Sequence, residues 1–231
     1  MPWPSNVSRR LLVIAGSIAA IAILAVLGTW IYINVISDEA AEPFGLEAGS
    51  GEALGDDAVL DGTWTVDTGS EAGYRVDEVL NGMDNTVVGR TSDVTGEITV
   101  SDDTATAAEI VVEMASVTTD SDSRDGQFRD SIMNTDEYPT SRFTLLETVP
   151  LGELRNSPEP TEHTVRGELT LRDVTREVEV ELALQAQGDS VRAAGSIPIT
   201  FTDFDIEPPD LAFVRVEDEG FVEFSLSLTR E

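Results

Sequence analysis

The sequence predicts an all-β domain behind a single membrane-spanning helix. Three observations lead there. From Asp61 onward apolar residues recur with a period of two, the spacing of strands that each have one dry face. Short clusters of Gly, Asn and Asp interrupt these rows at hairpin intervals. Ahead of both, residues 11–36 form an uncharged run of 26 residues dominated by Ala, Ile, Leu and Val.

A helix over that run spans roughly 39 Å, enough to cross a hydrocarbon layer of about 30 Å with some tilt. Arg9 and Arg10 precede it, and seven acids lie between Asp38 and Asp57. The positive-inside rule then places residues 1–10 in the cytoplasm and everything after residue 36 outside the cell membrane. Trp30 and Tyr32 stand where an outer aromatic belt belongs. A cleaved secretory signal would have an apolar core of only about 7–15 residues and a small-x-small cleavage site. Ile36-Ser37-Asp38-Glu39-Ala40-Ala41 offers a poor one, so an uncleaved anchor is expected. Residues 37–60, acidic and short of large apolar side chains, read as a flexible tether. As a coil they would span about 27 Å root-mean-square, letting the folded part float near the outer leaflet without touching it.

Residues 61–231 carry the strands. Val94, Gly96, Ile98 and Val100 share a face, as do Val178, Val180, Leu182 and Leu184. A longer row runs from Val191 to Phe201, and Val222, Phe224, Leu226 and Leu228 close the chain. Eight or nine strands are expected, at 63–67, 73–80, 86–100, 105–114, 141–148, 164–172, 175–185, 190–201 and 220–229. Turns are expected at Asn81-Gly82, Ser101-Asp102-Asp103, Arg172-Asp173, Gly188-Asp189 and Glu217-Asp218-Glu219-Gly220. Residues 123–133 break the pattern: Phe128 and Ile132 stand four apart behind Asp120, Ser121 and Asp122, which predicts one short helix capped by those residues. Such a succession builds a closed antiparallel barrel or a sandwich. Closure around eight strands would remove the exposed edges and leave room for one small ligand.

Composition narrows the function. All 14 basic residues are arginines, against 44 Asp+Glu, for a net charge of −30. Because Arg9 and Arg10 are the only charges before residue 37, the remainder carries −32, and nucleic-acid binding is excluded. The absence of cysteine excludes disulfides, thiolate nucleophiles and Cys-ligated zinc. His163 is the single histidine, so no multi-histidine metal site can form within the chain. No G-x-S-x-G accompanies it, and it opens a strand after Ser157-Pro158-Glu159-Pro160, so no catalytic residue is assigned. Asp120, Asp122, Asp125 and Asp130 invite a calcium loop, yet Arg124 and Asp125 stand at its fifth and sixth positions. Helix capping accounts for those acids, and neither a metal nor a cofactor is expected. Arg124, Arg129 and Arg142 leave two possibilities open. Arg124 and Asp125 pin the helix entrance as a local ion pair, or the three arginines form a basic patch that grips a polar head group.

Several blocks then point to a family. They are Trp64-Thr65-Val66-Asp67, Ser116-Val117-Thr118-Thr119, Arg124-Asp125 with Phe128-Arg129-Asp130, and Tyr138-Pro139-Thr140-Ser141-Arg142-Phe143. Later come Gly167-Glu168-Leu169-Thr170-Leu171-Arg172-Asp173-Val174-Thr175-Arg176 and Asp203-Phe204-Asp205-Ile206. In this order, across nearly all of residues 61–230, they resemble the YceI-like lipid-binding proteins. The resemblance implies an extended lipocalin-like antiparallel eight-stranded barrel whose apolar cavity holds a polyisoprenoid chain, in bacterial extracytoplasmic proteins. It matches Arg124, Asp125 and Phe128 to the family's helix motif, Pro139 and Phe143 to the strand after it, and Phe204 to the late motif. Histidines frequent in that family are missing here, where Val79-Leu80-Asn81-Gly82, Val87-Val88-Gly89-Arg90 and Gly126-Gln127 stand.

The ligand-binding candidates are the inward rows: Val76, Ile98, Ile110, Val112, Met114, Phe128, Ile132, Phe143, Leu145, Leu169, Leu171, Val180 and Phe224, with Arg124 at the polar end and Phe204 from the late motif. A filled core uses the same residue types, so sequence alone does not separate lining from packing. The expected function is binding an isoprenoid lipid, of quinone or polyprenyl type, for carriage, storage or sensing, without catalysis. Charge adds that the head group is neutral, since a pyrophosphate would approach a domain of about −30 screened only beyond some 8–10 Å. Two alternatives stand beside it: a lipid-acting hydrolase or isomerase using Asp125, and an acidic interaction module without ligand.

Overall fold

Period-two rows and left-handed turn residues set the architecture. The computed structural model describes residues 14, 17, 21, 23–28, 40–210 and 214–231. The expected membrane segment, 11–36, falls largely outside them. Its described residues are helical, and among the described residues no helix is long and apolar enough to cross a membrane.

Eleven strands follow: β1 (Gly62–Val66), β2 (Glu71–Leu80), β3 (Met83–Thr91), β4 (Val94–Ser101), β5 (Thr104–Glu113), β6 (Thr140–Leu145), β7 (Val149–Pro150), β8 (Thr161–Leu171), β9 (Val174–Gln187), β10 (Ser190–Thr200) and β11 (Val214–Arg230). Eight of them close a ring in the order β1-β4-β5-β6-β8-β9-β10-β11, with β1 pairing back onto β11. Every pairing in the ring is antiparallel. The β2–β3 hairpin extends the wall from the first half of β11. Its outer edge is met by Thr118, which exchanges backbone hydrogen bonds of 2.9 and 3.0 Å with Arg90.

The predicted turns at Asn81-Gly82, Asp102-Asp103, Arg172-Asp173 and Gly188-Asp189 all form. Asn81 and Gly82 sit at φ 50° and 82°, and Asp102 and Asp103 at 51° and 55°, the left-handed pairs that two-residue hairpins need.

The expected strand 141–148 ends at Leu145 and the short β7 was not expected, and two larger differences shape the barrel. The single strand at 86–100 is two, because β3 pairs with β2 whereas β4 pairs with β5 and β1. The corner between them is held by the Asp93 N–H donating to Thr91 Oγ1 at 2.9 Å. The expected turn at 217–220 is instead a bulge inside β11, where register slips between Val216 and Gly220. It leaves Glu217, Asp218 and Glu219 exposed while Val216 and Val222 both stay on the inner face. A 17-residue β11 can therefore serve β2 with residues 214–225 and β1 with residues 228–230.

The predicted helix is a short α-helix, Asp122–Gln127, continued by a π-helical turn, Phe128–Ile132. Its N-cap is Ser121, without a side-chain cap bond. The buried Asp125 reaches back instead, accepting from the Thr119 N–H at 2.9 Å and the Thr119 hydroxyl at 2.7 Å.

The tether expectation is corrected for residues 40–60, which lie against the barrel. Arg75 and Arg90 donate to the carbonyls of Ala41 and Glu42, and the Arg90 guanidinium stacks 3.9 Å from the Phe44 ring centroid. Further along, Gln185, fully buried, donates to the carbonyls of Glu47 (3.0 Å) and Pro158 (2.9 Å). Leu54 and Gly55 then bond to the 3₁₀ turn Gly152–Arg155. Composition concealed this because, the Phe44 ring apart, the strap is held largely through its backbone carbonyls and N–H groups, which almost any residue supplies. Strap, 3₁₀ turn and the buried Leu60 and Leu154 close one end of the barrel. At the other end stand the β2–β3 turn, the helix and residues 206–210 and 214–216.

Candidate functional site

The barrel is hollow. A cavity of about 360 Å³ lies beneath the helix, between the β2–β3 hairpin and the segment around Ile206, Pro208 and Val216. A second, of about 150 Å³, occupies the interior of the ring. The larger is within the usual range for small-molecule pockets. The exposed Ser123 and Gln127 stand at its rim, so this is the open end.

Of the sequence-predicted residues, Val76, Met114, Arg124, Phe128, Ile132 and Leu171 line the upper cavity. Ile98, Ile110, Phe143, Leu145, Leu169, Val180 and Phe224 line the lower one, and Val112 borders both. Phe204 lines neither. It is buried in the core at 2% exposure, because the left-handed Asp205 and an Ile206 N–H···Phe201 O bond of 3.1 Å fold its 3₁₀ turn back. Phe201 and Ile206 face the cavity in its place. Missed by the sequence were Tyr74, Glu78 and Leu80, which alternate with Val76 on the inner face of β2. The period of two would have found them, had the acid Glu78 not masked the row.

Why the lumen stays empty follows from two glycines. A Cβ on Gly167 would fall 2.2 Å from Cε2 and Cζ of Phe143, and one on Gly195 would fall 2.9 Å from Cζ of Phe224. Both rings therefore lie flat on the wall over a residue with no side chain. A side chain larger than hydrogen at Gly167 would displace the Phe143 ring, and one at Gly195 would also strike the Glu181 carbonyl oxygen, 2.1 Å away. Apart from Ser141 and the Trp64 indole, whose N–H donates to the Leu60 carbonyl at 2.8 Å, the lower lining is wholly apolar.

Polar groups gather at the open end. Glu78, only 6% exposed, accepts from Asn85 Nδ2 at 2.9 Å. Arg124 lies 3.7 Å from the Glu78 carboxylate and pairs with Asp120 one helical turn earlier. The expected Arg124–Asp125 pair is thus replaced by Arg124–Asp120, since Asp125 is taken by Thr119. The three-arginine patch does not assemble: Arg142 pairs with Glu109 on the exposed outer face, and Arg129 is absent from the cavity lining. Tyr74 stacks on Phe128 with ring centroids 5.2 Å apart and planes 9° from parallel. Burial pushes the Tyr74 hydroxyl well above the usual tyrosine range; Arg124 opposes the rise, while Asp125, Glu78 and Asp120 add to it. The phenol is therefore a neutral hydrogen-bond donor inside the cavity. His163 lies away from both cavities, 3.2 Å from the Thr161 hydroxyl. Among the described residues no cluster of three or more His, Cys, Asp or Glu could hold a metal ion.

These features define an eight-stranded antiparallel barrel with an apolar interior stoppered at one end and a polar mouth at the other. The chain belongs to the YceI-like domain family, whose model matches residues 64–228. Its fold is similar to that of a polyisoprenoid-binding domain from Saccharophagus degradans implicated in plant cell wall breakdown, at TM-score 0.60 and 20% identity, covering 73% of this chain and 98% of that one. It is also similar to BcnA of Burkholderia cenocepacia, at TM-score 0.54 and 20% identity, covering 70% and 98%. No curated protein matches the chain.

Proposed function

We propose that the protein binds an isoprenoid lipid, its tail in the barrel interior and its head group at the polar mouth. The observation that carries this is a hollow, almost wholly apolar lumen, sealed at one end and polar at the other. The family and the polyisoprenoid-binding neighbour support it. Burial of a hydrocarbon tail at about 0.8 kcal/mol per CH₂ supplies the affinity, and no catalytic step is assigned to the mouth. The role is carriage, storage or sensing.

The head group is neutral, such as a quinone. Arg124, the one cation lining the mouth among the described residues, is already shared between Asp120 and Glu78. Two carboxylates already hold that one guanidinium, a poor cradle for pyrophosphate. Tyr74, held neutral, can donate to a carbonyl. The run at 11–36 supports a membrane anchor that holds the barrel outside the cell membrane.

Organic extraction of the purified full-length chain followed by mass spectrometry tests this. A co-purifying neutral isoprenoid is expected. Tight polyprenyl pyrophosphate binding that weakens in Arg124→Ala and with added salt would overturn the neutral head. An empty lumen that takes up no isoprenoid on reconstitution would end the proposal.

A further inference from the structure

The two cavities meet at four residues that border both: Ala72 and Val222 on one side, Val112 and Ser141 on the other. The registers place these pairs on opposite walls. Val112 and Ser141 are direct partners across β5 and β6. Ala72 and Val222 sit one diagonal step apart on β2 and β11, where Ala72 pairs with Phe224 and Val222 with Tyr74. In the ring β6 and β11 are four strands apart, so the two pairs face each other across the lumen. Alanine and serine are the smallest side chains of the four. The junction between the cavities is thus ringed by these four residues, and the lower chamber beyond it is lined as far as Leu151 and Trp64.

Resting on the isoprenoid-binding proposal, we infer that this junction is a waist that makes the barrel a gauge of tail length. One linear tail passes between Ala72, Val222, Val112 and Ser141, and its terminal unit fills the lower chamber. At about 150 Å³ that chamber matches cavities that hold a six-carbon ring, so it takes about one five-carbon isoprene unit. A tail ending above the waist leaves the chamber empty, and a tail longer than the floor allows must leave carbons outside. At roughly fourfold per buried carbon, filling the chamber is worth about 10²- to 10³-fold in affinity.

The experiment uses the full chain and a series of benzoquinones with isoprenoid tails of increasing unit number, with Kd from equilibrium dialysis. Kd is expected to fall with each added unit and then level off once the lower chamber is full. Ala72→Phe, which plugs the waist, and Ala193→Phe, which fills the lower chamber from β10, are each expected to move the plateau one unit shorter. Both should cost the longest tails 10²-fold or more, at least tenfold more than they cost tails that end above the waist. Retained short-tail binding certifies that each variant is folded, and if one does not fold the other decides. A wild-type Kd without a plateau, or a plateau that neither variant moves, would overturn the gauge and leave lipid binding standing. If no quinone of any length binds, both fall.

Discussion

Replacing Gly167 with alanine tests whether the hollow lumen depends on an aromatic ring lying over a glycine. The new Cβ would stand 2.2 Å from two carbons of Phe143 and 2.8 Å from the Thr144 carbonyl oxygen. Ordinary carbon–carbon contact is about 3.5–4.0 Å, so the ring must move by more than 1 Å (about 1.3–1.8 Å by the same contact distance). Overpacking of this kind costs about 1–3 kcal/mol. The lower entropy of the unfolded alanine chain offsets about 0.4–1 kcal/mol of it. A net loss of about 1–2 kcal/mol remains, which for a domain of this size lowers Tm by about 2–8 °C. Thermal unfolding of the wild type, Gly167→Ala, Phe143→Leu and the double variant forms a closed cycle. Because a smaller side chain at 143 relieves the clash, the double variant is expected to be more stable than the sum of the singles by at least about 0.5 kcal/mol. Relief should be incomplete, since the Thr144 carbonyl stays where it is. Strict additivity, or a Gly167→Ala variant as stable as wild type, would refute the account of how the lumen is kept open.

Three further outcomes follow from the same contacts. Tyr74 has its pKa raised by burial, so its contribution is complete below the unfolded value of about 10 and is lost as pH rises above it. Tyr74→Phe should flatten the fall in urea midpoint between pH 9 and 11, and an unchanged slope would refute the burial of that hydroxyl. Glu223 is 3% exposed and pairs with Arg75 at 2.7 Å, with Arg90 at 4.0 Å. Arg75→Ala should destabilise by up to about 3–5 kcal/mol by stranding that carboxylate, and adding Glu223→Gln should restore most of the loss in a denaturant titration. Gln185→Leu removes the donors that hold the strap at Glu47 and Pro158; faster protease cleavage within residues 41–58 is expected, and wild-type resistance would show that the strap is held elsewhere.

Sequence legibility tracked how local the governing physics is. Hairpin turns were readable because two left-handed residues in a row demand Asn, Asp or Gly, as at Asn81-Gly82 and Asp102-Asp103. Inner-face residues were readable because a strand's side chains alternate: of the 15 proposed, only Phe204 lies off both cavities. The acidic run at 217–219 misled because composition marks exposure, and a bulge exposes residues as well as a turn does. The strap misled for the opposite reason, since most of its contacts go through backbone groups that carry no side-chain signature.

By itself, then, the sequence determined the all-β class, the turns and which faces turn inward, all set within a few residues by backbone sterics and alternation. Tertiary structure alone decided that the interior is hollow, with two adjoining cavities. Whether Phe143 fills the lumen or lies against its wall depends on Gly167, 24 positions away in the chain and brought beneath it only by strand pairing. Likewise, Arg124 became a neutralised group when β2 set Glu78 beside it. Free volume and charge compensation are properties of residues that meet across the fold, and no stretch of chain encodes them locally.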